Sequence, residues 1–318
     1  MENAAVLVCP LCKGPLRAEL DAHECDPCGR SYPVLCGIPD FRILPDRYIS
    51  IDDDRATGAR LEEGAPGRDF AGMLDLYWSM TPEVTVNLQA KFRKHQLAEE
   101  RIGETVLGEL GRWSGPLLDV GCATGGLVAA AARRGTAVTG VDVAFRWLVV
   151  GKVRLREAGV TAQLVCANAE YLPFPADAFG ALTANDLAEH VADPPPVFSE
   201  CRRVLCPAGA AYFSTNNRYS ALPEPHVGVW GVGWLPRALQ ARYVELISGQ
   251  PYRNICLRSG PELARHARQA RFRDCKLEAA PLSSAPDYRP QAQALYRRLR
   301  GWRPMRWIGP RLQLLCRK

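Results

Sequence analysis

A short apolar run that empties into glycines constrains this chain more than any other feature. Leu117-Leu118-Asp119-Val120 is followed at once by Gly121-Cys122-Ala123-Thr124-Gly125-Gly126. Apolar residues at consecutive positions fit a strand covered on both faces, and glycines let the chain turn tightly and approach a ligand with its backbone. A helix is expected from Leu127 to Arg134, closed by Gly135. The alternation then repeats: strand Ala137 to Val143, helix Phe145 to Ala158, strands Ala162 to Cys166 and Ala181 to Ala184, helix Pro196 to Leu205, strand Ala210 to Ser214. Such a series implies an α/β fold, a Rossmann-like doubly wound parallel sheet. Ser259 to Ala270 reads as a further helix. Cys275 to Ala279 and Arg311 to Cys316 read as a closing hairpin.

Upstream, Thr81-Pro82-Glu83 predicts a helix start, with a capping hydroxyl, a first-turn proline and an acid at the positive end. That helix should run to about Leu110 with a break near Gly103. Met73, Tyr77 and Trp78 form an aromatic cluster ahead of it, read as core. Asp46 to Arg68 has little periodicity and is expected to be a linker or mobile loop.

Twelve cysteines are present, and Cys9, Cys12, Cys25 and Cys28 form two Cys-x-x-Cys pairs. Each pair can turn two thiolates toward one ion, and two such knuckles give the closed tetrahedral set of structural zinc. A redox pair would explain one Cys-x-x-Cys but not two at this spacing. The remaining cysteines are expected to be buried thiols and not disulfides. The organisation that follows is a zinc ribbon over 1–45, a linker and cap segment over 46–80, and a catalytic domain over 81–318 with insertions at 216–250 and 281–310. Separate domains imply that loss of the ribbon's metal leaves ligand binding in the sheet largely intact.

Hydrophobic residues make up 47% and charged residues 23%, which excludes a disordered or fibrous chain. No apolar run reaches the roughly 18 residues of a membrane span. Residues 1–8 lack a basic leader region, so a cytoplasmic location is expected. Charge is uneven: Pro251 to Lys318 holds 16 Lys/Arg against 4 Asp/Glu, while the preceding part is net acidic. The surplus points to an anionic acceptor or surface, or to a solvated basic face.

The glycine turn half matches a dinucleotide fingerprint, through Gly121, Ala123 and Gly126. Asp119 argues for a different ligand, because pyrophosphate would be repelled by a carboxylate at the strand end and a cationic sulfonium would not. Asp142 ends the second strand, where an acid can accept from both ribose hydroxyls. Asn168, after the third strand, can read an adenine edge, with Leu172, Pro173 and Phe174 closing the pocket.

Together these segments resemble the class I S-adenosylmethionine-dependent methyltransferases, of the methyltransferase type 11 group that includes ubiquinone and menaquinone biosynthesis enzymes. The resemblance lies in Leu-Leu-Asp119-Val-Gly121-Cys-Ala123-Thr-Gly125, Val-Asp142, Asn168-Ala-Glu-Tyr-Leu-Pro-Phe-Pro, Leu187-Ala-Glu-His190-Val-Ala-Asp-Pro and Arg203-Val-Leu-Cys-Pro-Ala-Gly209. It implies S-adenosyl-L-methionine held by Asp119, Gly121, Ala123, Gly125, Asp142, Val143, Asn168, Ala169 and Asn185. Two positions depart from it: Ala123 stands where Gly is commoner, and Asn168 where Asp is usual. Residues 1–45, with Tyr32-Pro-Val-Leu-Cys36-Gly-Ile-Pro39, resemble small zinc-ribbon proteins that accompany methyltransferases.

Methyl transfer needs a general base only when the acceptor must lose a proton. His190, after the fourth strand, and His226, in Pro223-Glu224-Pro225-His226, are the catalytic candidates. The leading reading is a methyltransferase acting on a small-molecule or lipid-linked metabolite, anionic in view of the arginines, with peripheral membrane contact through the basic C-terminal insertion. An RNA methyltransferase is the alternative, since a ribbon plus a basic tail resembles ribosomal-RNA guanine methyltransferases. A non-catalytic cofactor-binding scaffold is the third reading.

Overall fold

The structure is a computed structural model that describes residues 4–282 and 290–318; residues 283–289 of the expected C-terminal insertion lie outside it. A small antiparallel sheet opens the chain, with β1 (Arg17–Ala18), β2 (Ala22–Cys25), β3 (Arg30–Leu35) and β4 (Ile38–Pro39) in sequential order. Three helices follow: α1 (Ile51–Gly64), α2 (Phe70–Ser79) and α3 (Val86–Leu110). Then come β5 (Leu117–Val120), α4 (Gly126–Arg133), β6 (Val138–Asp142), α5 (Phe145–Glu157), β7 (Gln163–Cys166), β8 (Phe179–Ala184), α6 (Pro194–Val204) and β9 (Leu205–Asn216). The chain closes with α7 (Arg237–Ser248), α8 (Gly260–Gln269), β10 (Arg273–Ala279), α9 (Pro290–Leu299), α10 (Met305–Ile308) and β11 (Arg311–Arg317).

The main sheet has the order β10-β11-β9-β8-β5-β6-β7, with β11 antiparallel to both neighbours and the pairs from β7 through β9 parallel. Order reverses between β5 and β8, which opens a crevice at their carboxyl ends. All four residues of β5 are buried, as an interior strand requires. The alternation read from the sequence is thereby realised, with α8 capped by Ser259 and Glu262 as its sequence suggests.

Several expectations are corrected. The segment read as a linker contains α1, whose Ser50 hydroxyl accepts from the Asp53 N–H at 3.1 Å. Its inward face is anchored by charge: the fully buried Asp54 accepts from Arg42 Nη1 at 2.6 Å, Arg146 Nη1 at 2.8 Å and the Phe145 N–H at 2.8 Å. Thr81-Pro82-Glu83 is a turn, and α3 begins at Val86, because the Gln89 amide donates to the carbonyls of Thr81 and Val84 and holds them out of the helix. Gly103 does not break α3. It lets α4 approach, since a Cβ there would lie 2.6 Å from Leu127 Cα. Cys275 and Cys316 are a disulfide joining β10 to β11, where free thiols were expected.

The cysteine-bearing sheet is not a loose appendage. The Phe41 N–H donates to the Cys166 carbonyl at 2.7 Å, so the chain leaving β4 runs along the edge strand β7. The Val8 N–H donates to the Pro173 carbonyl at 2.9 Å, and Lys13 pairs with Glu200 of α6 at 2.7 Å. The 216–250 insertion carries a small core of its own, Val229, Val232 and Val244, closed by Tyr252 just beyond it.

Candidate cofactor and acceptor site

Gly121 and Gly125 sit at φ +77° and +73°, so the turn after β5 uses backbone that side chains resist. Ala123 also lies in this left-handed region, at φ +46°. Its N–H donates to Asp142 Oδ2 at 2.7 Å, and the Ala144 N–H donates to Asp142 Oδ1 at 2.8 Å. Each Asp142 oxygen thus has one backbone donor and retains capacity for a second. Burial pushes the Asp142 pKa up to about 6 against the pull of those amides.

Asp119 is buried at the end of β5 and accepts from the Thr183 hydroxyl at 2.7 Å. Burial lifts its pKa to about 7; the Thr183 bond opposes this and the Asp142 charge adds to it. One neutral hydroxyl is little compensation for a buried carboxylate, and a ligand cation would satisfy it.

Asn168 is used differently from its expected role. Its Oδ1 accepts from the N–H groups of Ile43 and Leu44 at 2.8 and 3.0 Å, and its Nδ2 donates to the Leu44 carbonyl at 3.1 Å. The side chain expected at an adenine edge is engaged by the segment leaving the ribbon. Val143, next to Asp142, gives its carbonyl to Arg42 Nη1 at 3.2 Å. Ala169 begins a single 3₁₀ turn.

On the other side of the crevice, the two candidate histidines meet. Their ring centroids are 5.3 Å apart, edge to face. His226 Nδ1 is hydrogen-bonded to Glu224 Oε1, and the same carboxylate accepts the N–H groups of His226 and Val227. Burial opposes a charge on His226, but Glu224, with Glu189 and Asp186 beyond it, outweighs burial and holds its pKa above the ordinary value. Burial and the neighbouring His226 hold His190 below its ordinary value, against the pull of Glu189. Tyr48 Oη lies 3.5 Å from His190 Nδ1. Glu189 is fully buried and accepts from the Thr215 hydroxyl at 2.9 Å and from Asn216 Nδ2 at 2.8 Å. Asn185 accepts from Ser214 at 2.9 Å, and Asp186 is paired with Arg311 at 2.5 Å. A carboxylate-held imidazole is equipped to take a proton through its other ring nitrogen.

Sequence reasoning found both histidines but not their partners. Glu224 stands two residues before His226 and Glu189 one before His190, so adjacency was the available signal. Nothing local marks Arg42, Tyr48, Asp54 or Thr183.

The four cysteines come together at the ribbon's tip, with all sulfurs within 4.8 Å of one another. Cys9 Sγ is 3.6 Å from Cys28 Sγ, and Cys12 Sγ is 3.4 Å from Cys25 Sγ. Tetrahedral Zn–S bonds of about 2.3 Å place sulfurs about 3.8 Å apart, so the cluster fits zinc. His23 stacks on Phe41, and Cys36 gives its carbonyl to Lys152; neither joins the cluster.

Residues 118–213 match the family model described as a methyltransferase domain. The match lies within the central sheet, from β5 to β9. The chain is 31% identical over 160 residues to the ubiquinone biosynthesis O-methyltransferase of Salmonella paratyphi A, covering 50% of this chain and 62% of that protein. It therefore spans less than two thirds of the length of the curated relatives it matches. Among solved structures, the chain is similar to phosphoethanolamine N-methyltransferase 2 of Haemonchus contortus in complex with S-adenosyl-L-methionine. That similarity has TM-score 0.47 and 19% identity over 69% of this chain and 52% of that one. It is likewise similar to a possible histamine N-methyltransferase of Thermotoga maritima, with TM-score 0.47 and 18% identity over 76% of this chain and 99% of that one. Among the described residues no helix is long and apolar enough to cross a membrane.

Proposed function

We propose that this protein is an S-adenosylmethionine-dependent methyltransferase whose acceptor is a small-molecule or lipid-linked metabolite that gives up a proton to His226. The observation that carries the reading is one sheet edge bearing both the carboxylate pair Asp119 and Asp142 and the Glu224–His226 pair. When bound, S-adenosylmethionine supplies an electrophilic methyl group on a sulfonium. Asp142 is suited to a ribose diol and Asp119 to the cationic part of that ligand. Gly121, Ala123 and Gly125 bring backbone close to it, while Val143, Ala169 and Asn185 border the same strand ends.

His226 takes the acceptor proton, and Glu224 fixes the ring and stabilises its charged form. His190 packs edge-on against that ring and, being held toward its neutral form, does not compete for the proton. Zinc on Cys9, Cys12, Cys25 and Cys28 holds the ribbon. Likeness to an enzyme named as an O-methyltransferase of ubiquinone biosynthesis supports an oxygen acceptor. The test is transfer of labelled methyl to a fractionated extract. Label in the small-molecule or lipid pool is the expected result, whereas label confined to RNA would replace the acceptor assignment.

A further inference from the structure

Large apolar side chains of the 216–250 insertion and the C-terminal insertion face solvent, Trp230, Trp234, Leu246, Trp307 and Ile308 among them. Trp230 is 60% exposed, Trp234 52%, Leu246 81% and Trp307 54%, and Ile308 is also exposed. They belong to segments far apart in sequence that share one seam. The Ala221 N–H donates to the Ile308 carbonyl at 3.0 Å, and Asn217 Nδ2 donates to the Trp307 carbonyl at 2.8 Å. From the other side, Trp230 Nε1 donates to the Ala221 carbonyl and Trp234 Nε1 to the Ser220 carbonyl, both at 3.1 Å. Each of these two indoles therefore has its polar N–H satisfied inward while most of the ring faces outward. Helix α7 is tied to the same seam by the Tyr243 hydroxyl, which donates to the Trp230 carbonyl at 2.9 Å. That helix buries Gln240 and Val244 but also turns Leu239, Leu246 and Ile247 to the outside, more apolar surface than an ordinary surface helix shows.

The setting is cationic. Residues 290–318 contain eight Lys/Arg and no Asp or Glu. Arg297, Arg298 and Arg303 are exposed, as is Arg242 on α7. We propose that this two-segment surface seats the protein on an anionic bilayer, with the tryptophans at headgroup level and Leu246 and Ile308 entering the acyl boundary. A second copy of the chain is disfavoured because facing patches would oppose like charges. Single-stranded nucleic acid is disfavoured because base stacking uses aromatic faces and has no use for exposed Leu and Ile. The seam begins at Asn217, directly after β9 and Asn216, which binds Glu189 beside the histidine pair. Seating there would bring the acceptor crevice to the lipid surface. That consequence rests on the methyl-transfer reading; the seating does not.

The test is co-sedimentation of the full chain with vesicles of phosphatidylcholine alone or mixed with phosphatidylglycerol. The expected result is association with the mixed vesicles that exceeds the neutral ones by about tenfold and falls with added salt. Trp230→Asp and Leu246→Asp should each reduce it by about tenfold while leaving the melting temperature unchanged. No association with mixed vesicles, or association indifferent to both substitutions, overturns the proposal. So does oligonucleotide RNA binding, or concentration-dependent dimerisation, that the same substitutions abolish. S-adenosylmethionine affinity measured on the same samples reports separately on the methyltransferase reading: its loss with vesicle binding intact would sink that reading alone.

Discussion

Asn168 and Leu44 are tied at both ends of one carboxamide, which accepts the Leu44 N–H at 3.0 Å and donates to the Leu44 carbonyl at 3.1 Å. Leu44 belongs to the segment leaving the ribbon, and Asn168 follows β7, on the wall where the cofactor's base is expected. The same segment pairs Phe41 with Cys166 and places Arg42 on the Val143 carbonyl. Ribbon and cofactor crevice thus share a wall, against the independence that separate domains implied.

Metal loss should therefore reach the cofactor. Cys9→Ser is expected to abolish zinc binding by elemental analysis and to weaken S-adenosylmethionine by about tenfold in calorimetry, the worth of one lost net hydrogen bond at the wall. Unchanged affinity in a zinc-free protein would mean that the segment stays docked without its metal.

Cofactor affinity should rise with pH. Folded Asp119 and Asp142 hold their protons to about 7 and about 6, above the ordinary 3.8, so the folded ligand-free protein binds more protons than the unfolded chain between those limits. Its stability accordingly falls as pH rises through that window. A cationic ligand prefers the carboxylates and must displace those protons. Calorimetry at about pH 5.5 in buffers of differing ionisation enthalpy should reveal proton release that vanishes by about pH 8.5. Proton uptake would contradict the placement of a cation at Asp119.

Turnover should follow the deprotonation of His226, with a limb above its ordinary pKa of 6.5. Glu224→Gln removes the largest influence holding that pKa up, so the limb should move to lower pH and the plateau rate should drop by about 10²-fold. A lower rate with an unmoved limb would reduce Glu224 to a packing role. His226→Ala should lose turnover with cofactor affinity kept.

Ala123→Gly should be tolerated. A left-handed alanine costs about 1–2 kcal/mol, and added glycine flexibility in the unfolded chain offsets about 0.4–1 of that. A gain of up to about 1.6 kcal/mol in denaturant unfolding is expected. A clear loss would indicate that the Ala123 methyl group packs against something the turn needs.

Asp54→Ala should be severe, because Arg42 and Arg146 would each lose one of two buried carboxylate partners, keeping only Asp40 and Asp46. The expected cost is about 3–5 kcal/mol, read from chemical denaturation.

What the sequence disclosed and what it withheld divide along a physical line. Leu117 to Val120 announces itself because a strand buried on both faces needs consecutive apolar residues. The cysteine pairs announce themselves because metal geometry fixes their local spacing. Helix α1 did not, since Asp54 holds it by ion pairs to partners at 42 and 146, and ion pairs leave no hydrophobic period. The Cys275–Cys316 link was invisible for a similar reason: strand pairing brings the two together across 41 residues, and spacing alone does not specify connectivity. Asn168 could be located but not interpreted, because its partners lie over a hundred residues upstream.

The Cys275–Cys316 link has a consequence for how this surface can change over time. It fastens β10 to β11 at the end of the pair away from the C-terminal insertion, and Ala279 pairs with Leu312 at the insertion's mouth, so both ends of the insertion leave from pinned backbone. Lengthening a pinned excursion costs only about 0.6 kcal/mol per doubling in closure entropy. Tryptophans and arginines there can be traded, inserted or deleted while β11 keeps its register against β9. A lineage could in this way retarget the protein to a different surface without disturbing the turn after β5, where any comparable edit would be felt at once.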